Sequence, residues 1–380
     1  MRKFKLFFLM LLIVLASVVP TGSLLATQPT LTDIAGHWAE AQIKQAVGKG
    51  YVSGYPDGTF QPNKDVSRAE FMTMLASALK LPHESDGSPW YQPYVTALIA
   101  AGVHDTSNFN SSYNAPLTRL EMVRLAVRAA LDAEALPPVL EDAPDNMYMV
   151  AATRAGIVHG LAKGELAPEG TSTRAQAVAI IERILALLSG QTLPVDARAI
   201  SYAEMAYQRT NMTAIFGLQP KPLPMKLELG LPYEVTVKEI LVVDYTDPNG
   251  AYREWFPEIR SISDTNELYI IAYKLFFENK TPSNGTMMYE FDQGATVSYP
   301  FFTAYVPYEL QKPEMITGVL PPHSLKEPFT AEHWYVVGIE KERGDVRLER
   351  QQFVLTLQKG YEYFSFSYPQ ISVLTAANSN

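Results

Sequence analysis

The sequence predicts a multidomain chain, an all-α domain built on an internal repeat followed by an all-β domain of immunoglobulin-like sandwich character. Three observations carry that prediction. A tetrapeptide recurs as Ser67-Arg68-Ala69-Glu70, Thr118-Arg119-Leu120-Glu121 and Thr173-Arg174-Ala175-Gln176, its arginines 51 and 55 residues apart. Each arginine follows a glycine at nearly constant distance, Gly50 by 18 residues, Gly102 by 17 and Gly156 by 18. Past Leu188 the apolar period changes from that of helices to the alternation of strands.

The bulk properties set limits. The 380 residues leave room for two or three domains, and 47% hydrophobic residues supply a core. A formal charge of −9 disfavours nucleic acid as a partner, so an anionic ligand has to be held by locally placed arginines. The chain has no cysteine, which excludes disulfides, thiolate metal sites, a cysteine nucleophile and a lipid-modified cysteine.

Residues 1–26 read as a cleaved signal peptide: Arg2, Lys3 and Lys5 form a basic start, Leu6 to Val19 is an uncharged apolar run, and Pro20 and Gly22 precede a cleavage site after Ala26. The run is shorter than the roughly 20 residues a spanning helix needs, so no transmembrane anchor is expected after cleavage.

Three helix–turn–helix units follow, over residues 31–81, 82–134 and 139–188. In the first, a helix opens near His37-Trp38-Ala39 and stops at Gly50; Tyr55-Pro56-Asp57-Gly58 is a turn, and Phe71, Met72, Leu75 and Leu79 stripe a second helix. Trp38 and Trp90 each stand 12 residues before the unit's glycine. A Ser or Thr followed three residues later by Glu or Gln is a capping box, which gives Ser67, Glu70, Thr118, Glu121, Thr173 and Gln176 a local role as helix caps. The arginines have no such local reason, because a cation at a helix start opposes the macrodipole. An arginine beside free N–H groups suits a carboxylate, so Arg68, Arg119 and Arg174 are read as ligand contacts rather than internal ion-pair partners.

At these residues the sequence resembles the S-layer homology (SLH) family. Asp33, His37-Trp38-Ala39, Gly50, Gly54-Tyr55-Pro56-Asp57-Gly58-Thr59-Phe60-Gln61-Pro62 and Ser67-Arg68-Ala69-Glu70 form a nearly complete motif, and the resemblance covers residues 31–188. It implies three tandem repeats joined as a pseudo-trimeric helical bundle, with grooves that bind secondary cell-wall polysaccharide attached to peptidoglycan, often through a pyruvate ketal. It also implies that Arg68, Arg119 and Arg174 meet the ketal carboxylate, that Asp33, Trp38, Asp86 and Trp90 meet the sugar, and that the protein is secreted to the cell wall of a Gram-positive-type envelope. Trp38 and Trp90 fit a core role equally well. The second unit lacks the Gly-Tyr turn, having Asp105-Thr106-Ser107-Asn108-Phe109 near that place; the third keeps Asp142, has Pro144 where a tryptophan would fall, and carries Gln176 in place of Glu.

Residues 189–224 read as a linker with a short helix near 200–210, ending in the stiff spacer Pro220-x-Pro222-x-Pro224. From 225 to 380, Tyr233–Asp244, Glu267–Phe277, Thr296–Tyr305, His333–Glu340 and Gln351–Leu357 read as strands of one sandwich. The six histidines are scattered, and neither a nucleophile elbow nor a phosphate loop is present. The expectation is a non-enzymatic anchor without metal or cofactor that displays a β domain. The alternative is a wall-anchored hydrolase with its active site in the C-terminal domain.

Overall fold

The computed structural model describes residues 31–84, 86–109, 112–133, 136–137, 145–217, 222–227, 233–256, 267–281, 286–287, 315–316, 323–324, 326–341, 353–359 and 362–368. The signal-peptide reading, Asp142, Pro144 and the strand expected at Thr296–Tyr305 lie outside these residues. Among the described residues, six α-helices form the N-terminal part: α1 (Glu40–Lys49), α2 (Arg68–Ala78), α3 (Gln92–Ala100), α4 (Arg119–Ala130), α5 (Asn146–Arg154) and α6 (Arg174–Leu188). Among the described residues no helix is long and apolar enough to cross a membrane.

The helices fall into three pairs with the same local construction. Each first helix runs into a left-handed glycine, Gly50, Gly102 or Gly156, with φ of 78°, 73° and 72°. At Gly156 the requirement is double, since a Cβ there would stand 2.6 Å from the Pro194 carbonyl oxygen. Each second helix opens on a complete capping box, with Ser67, Thr118 and Thr173 accepting from the N–H of Glu70, Glu121 and Gln176.

The first two amides of each second helix are satisfied by the neighbouring pair. Arg68 and Ala69 N–H donate to Ala115 and Tyr113, Arg119 and Leu120 to Gly170 and Pro168, and Arg174 and Ala175 to Lys64 and Pro62, at 2.8–3.1 Å. Just before the caps, Val66 N–H donates to Ser172, Ser172 to Leu117, and Leu117 to Val66, all within 3.0 Å. The helix-start donations run from pair one to two, two to three and three to one, the pre-cap donations run in the opposite sense, and both sets close a ring. Helix packing follows the same cycle: α2 lies on α3, α4 on α5, and α6 on α1. Phe60, Phe71, Leu98, Leu117, Met122 and Ile157 are wholly enclosed in the shared core.

Residues 189–224, read from sequence as a linker, are largely built into the fold. They carry α7 (Ala197–Gln208) and α8 (Met212–Phe216). One side of α7 puts Ala203 and Tyr207 into the helical core, and the other packs Tyr202 and Met205 against the sheet that follows. Arg154 on α5 holds the fully buried Glu204 at 2.6 Å, and the Asn146 amide donates to Ala206 O. This covering explains why α5, unlike α1 and α3, is buried over almost every residue.

The C-terminal strands are β1 (Met225–Leu227), β2 (Glu234–Asp244), β3 (Leu268–Asn279), β4 (Thr286–Met287), β5 (Met315–Ile316), β6 (His323–Ser324), β7 (Phe329–Glu340), β8 (Phe353–Lys359) and β9 (Glu362–Tyr368). One sheet has the order β1-β2-β3-β7-β5, antiparallel except where β5 joins β7; β4-β6 and β8-β9 are separate pairs. A register shift between Val237 and Glu239 ends the stretch paired with β1, and beyond it the α7–α8 connection takes up the β2 edge. Ile240 N–H donates to Arg209 O, while the Asn211 amide accepts from Val242 N–H at 2.8 Å and donates to Val242 O at 2.7 Å.

Asn211 is wholly buried and also donates to Ser201 Oγ, so it ties helix to strand. Replacing it by Ala leaves a buried N–H and C=O unpaired. We expect Asn211→Ala to lower unfolding free energy by about 2–4 kcal/mol in urea titration, since each orphaned group costs about 1–3 kcal/mol. A change below about 0.5 kcal/mol would show that water replaces the amide at no cost.

Candidate functional site: the junctions between helix pairs

The ring places one tetrapeptide arginine at each junction, and all three are buried, Arg68 at 6%, Arg119 at 5% and Arg174 at 4% exposure. Every one of them reaches into the next pair. Arg68 forks onto Glu121 with Nε at 3.0 Å and Nη2 at 2.7 Å, donates to Ser112 O, and stands over the Phe109 ring. Arg174 donates to Phe60 O at 3.0 Å and to Glu70 at 3.3 Å, lying 4.7 Å from the centres of both the Tyr55 and Phe60 rings. Arg119 donates to Leu166 O at 2.8 Å and His159 O at 2.6 Å.

Taken alone, each helix start carries free N–H groups. The tertiary structure uses them: the neighbour's carbonyls take the first two amides and the capping hydroxyl takes the third. The carboxylates do two jobs. Glu121 Oε2 accepts from its own cap N–H at 3.0 Å while the same group receives Arg68; Glu70 likewise accepts from Ser67 N–H and from Arg174. Gln176 accepts from Thr173 N–H at 3.0 Å but has no charge to offer Arg119.

The remaining predicted residues are placed differently. Asp33 is consumed locally, its two oxygens accepting from Phe60 and Gln61 N–H at 2.7 Å each, which fixes the turn around the left-handed Gln61. Asp86 is exposed. Trp38 and Trp90 are 60% and 54% exposed at the heads of α1 and α3, so the core reading of these rings gives way to a surface one. The asymmetry is chemical: the two largest apolar rings of the helical part face water while smaller groups fill its interior.

Sequence reasoning missed several residues here. His104, buried at the Arg68 junction, contacts the Phe109 ring and bonds Tyr113 OH at 3.0 Å. Arg183 on α6 donates to Ile157 O at 3.0 Å and reaches His159 Nδ1 at 3.4 Å. A usable signal was present in Phe60-Gln61-Pro62 and Leu166-Ala167-Pro168, which stand at the same distance before their tetrapeptides. In both, the middle residue is left-handed and the proline carbonyl receives the preceding unit's helix start.

Two measurements test this geometry. Arg68→Met strands Glu121 as a buried charge, so stability should fall by about 3–5 kcal/mol; a variant that melts like the parent would show that Arg68 is not structural. Burial holds the His104 imidazole below its ordinary value of 6.5. Protonation therefore favours the unfolded chain, and this contribution is complete above that value and is lost as pH falls through and below it. The melting temperature should drop between pH 7 and 5.5, and His104→Gln should flatten that slope; an unchanged slope in the variant would assign the effect elsewhere.

Part of the chain is similar to known proteins. A family model described as S-layer homology domain matches residues 30–72. An amylopullulanase of Thermoanaerobacterium thermosulfurigenes is 30% identical over 176 residues, 41% of this chain and 9% of that protein. The S-layer protein sap of Bacillus anthracis is 35% identical over 113 residues, covering 27% and 14% of the two chains. A cellulosome-anchoring protein of Acetivibrio thermocellus is 46% identical over 50 residues, covering 13% and 11%. The match thus spans less than a sixth of each of these relatives. The matched segment, residues 30–72, marks the chain as one that carries an S-layer homology domain.

Proposed function

We propose that this chain anchors itself non-covalently to the bacterial cell wall, its three helix pairs acting as tandem SLH repeats in a pseudo-trimer. On this reading the protein is secreted with loss of residues 1–26, and the junction grooves bind secondary cell-wall polysaccharide attached to peptidoglycan. The observation that carries the reading is the pair of exposed rings, Trp38 and Trp90, at corresponding positions of the first two units. A flat aromatic face turned to water suits the apolar face of a sugar, and it is otherwise a cost to a soluble surface. Asp33 and Asp86 lie beside these rings in sequence, and Arg68, Arg119 and Arg174 form the groove walls on which an acidic substituent such as a pyruvate ketal would be read.

Two of the similar proteins, an S-layer protein and a cellulosome-anchoring protein, carry names that support a cell-surface role. The strands from residue 225 onward are, in this proposal, a non-catalytic immunoglobulin-like domain held at the surface. Because α7 belongs to both cores, that domain is mounted at a fixed angle and does not hang on a tether.

The test is co-sedimentation of the full chain with purified sacculi, before and after chemical removal of the secondary polymer. Binding should disappear with the polymer. Replacing both Trp38 and Trp90 by Ala should weaken it at least tenfold with little change in melting temperature, because exposed rings contribute little to the core. Undiminished sedimentation with bare peptidoglycan, or a double variant that binds like the parent, would refute the proposal.

A further inference from the structure

The left-handed glycines that end the first helices do not share the same surroundings. Gly50 and Gly102 are exposed, and a Cβ at either would meet nothing within 4 Å. Gly156 is buried beneath Leu193 and Pro194, whose nearest atoms would stand 2.8 and 2.6 Å from such a Cβ. Three residues on, Ser53 and Asp105 are exposed, whereas His159 Nε2–H donates to Pro194 O at 3.0 Å. The chain leaving α6 therefore folds back across the turn of the third unit, where Arg119 ends on His159 O.

Asp196 latches this segment down. Its Oδ2 accepts from Gly160 N–H at 2.9 Å, and its Oδ1 accepts from Arg198 and Ala199 N–H at the start of α7. One carboxylate thus holds the turn of the third unit and caps the helix that packs on the sheet. Gly164 leaves room for the Arg198 stem, since a Cβ there would stand 2.5 Å from Arg198 Cγ. The guanidinium beyond it reaches Asn249 O and Glu254 of the β part. At the head of α5, Asn146 donates to Ala206 O near the end of the same segment. The heads of α1 and α3 instead carry the exposed Trp38 and Trp90.

We propose that residues 193–208 are a plug built into the chain, which closes the third unit to the wall polymer and leaves the junctions of Arg68 and Arg174 to bind it. The plug follows α6 within a few residues, so its local concentration is of millimolar order and a dilute polymer does not displace it. The third pair serves as the mount of the β part, and the face used for mounting is the face a third ligand would need. The inference rests on the proposed reading of the junctions as the polymer-binding part of the ring, and it narrows that reading from three junctions to two.

Two measurements on the full chain test it, and the first needs no ligand. In amide hydrogen exchange, Gly160 should exchange at least about tenfold more slowly than Gly54 and Thr106, which hold the same place in units one and two. A variant combining Leu193→Gly, Pro194→Ser, Val195→Gly and Asp196→Ser keeps a capping hydroxyl for α7 but loses the latch, and Gly160 should then exchange as fast as they do. In the second, short oligosaccharides of the secondary polymer released from sacculi are titrated calorimetrically. The parent should bind two per chain, and the variant should bind more than two. A parent count of one or three, or a variant that stays at two, overturns the proposal. If neither chain binds, the wall-polymer reading fails, and exchange alone decides the plug: a parent Gly160 as fast as Gly54 overturns it, and a slow Gly160 released in the variant upholds it.

Discussion

Everything in the helical part depends on how three helix starts satisfy their hydrogen-bond donors. A helix N-terminus leaves four N–H groups without intrahelical partners, and burying them unpaired costs more than one domain can bear. Here each second helix gets two acceptors from the next unit's loop and one from its own capping hydroxyl, while the cap N–H goes to the N3 side chain. No unit can complete its own helix start. The ring therefore forms as a whole, and the closing contact of the third unit on the first is as necessary as the two between sequence neighbours.

That constraint explains the double use of the N3 residue. A glutamate at this position caps its own helix with one oxygen and neutralises the preceding unit's arginine with the carboxylate as a whole. Glutamine satisfies the capping geometry equally well, since the cap needs only an acceptor oxygen. It fails in the second task because an amide has no charge. A substitution that is silent for the helix thus changes the electrostatics of a junction, and the difference is large because the guanidinium is buried in a medium that screens charge poorly.

The connection between the two parts is the other determinant of shape. Helix α7 has a side for each core, and the segment after it continues as a strand-like partner for β2 through Asn211. In an anchoring role this would fix the orientation of the displayed domain relative to the wall-facing ring, a property that a Pro-rich linker alone would not provide.

The sequence by itself determined the three-unit repeat, the second-helix caps, the glycines that end the first helices, the change to strands, and the cores of β2, β3, β7 and β8. These are legible because they depend on local spacing: a cap on the residue three positions on, a left-handed glycine on its own φ, a strand on alternation. It did not determine what the arginines touch, since Arg68 and Glu121 lie 53 positions apart and Arg174 closes onto Phe60 across 114. Nor did it settle Trp38 and Trp90, because an aromatic residue before a helix reads alike whether it turns inward or outward. Residues 189–224 read as a linker because the apolar positions of α7 within them serve two cores at once and so show neither pattern cleanly. Local geometry is written in neighbouring residues, whereas partners, burial and the balance of charge at each junction exist only once the ring has closed.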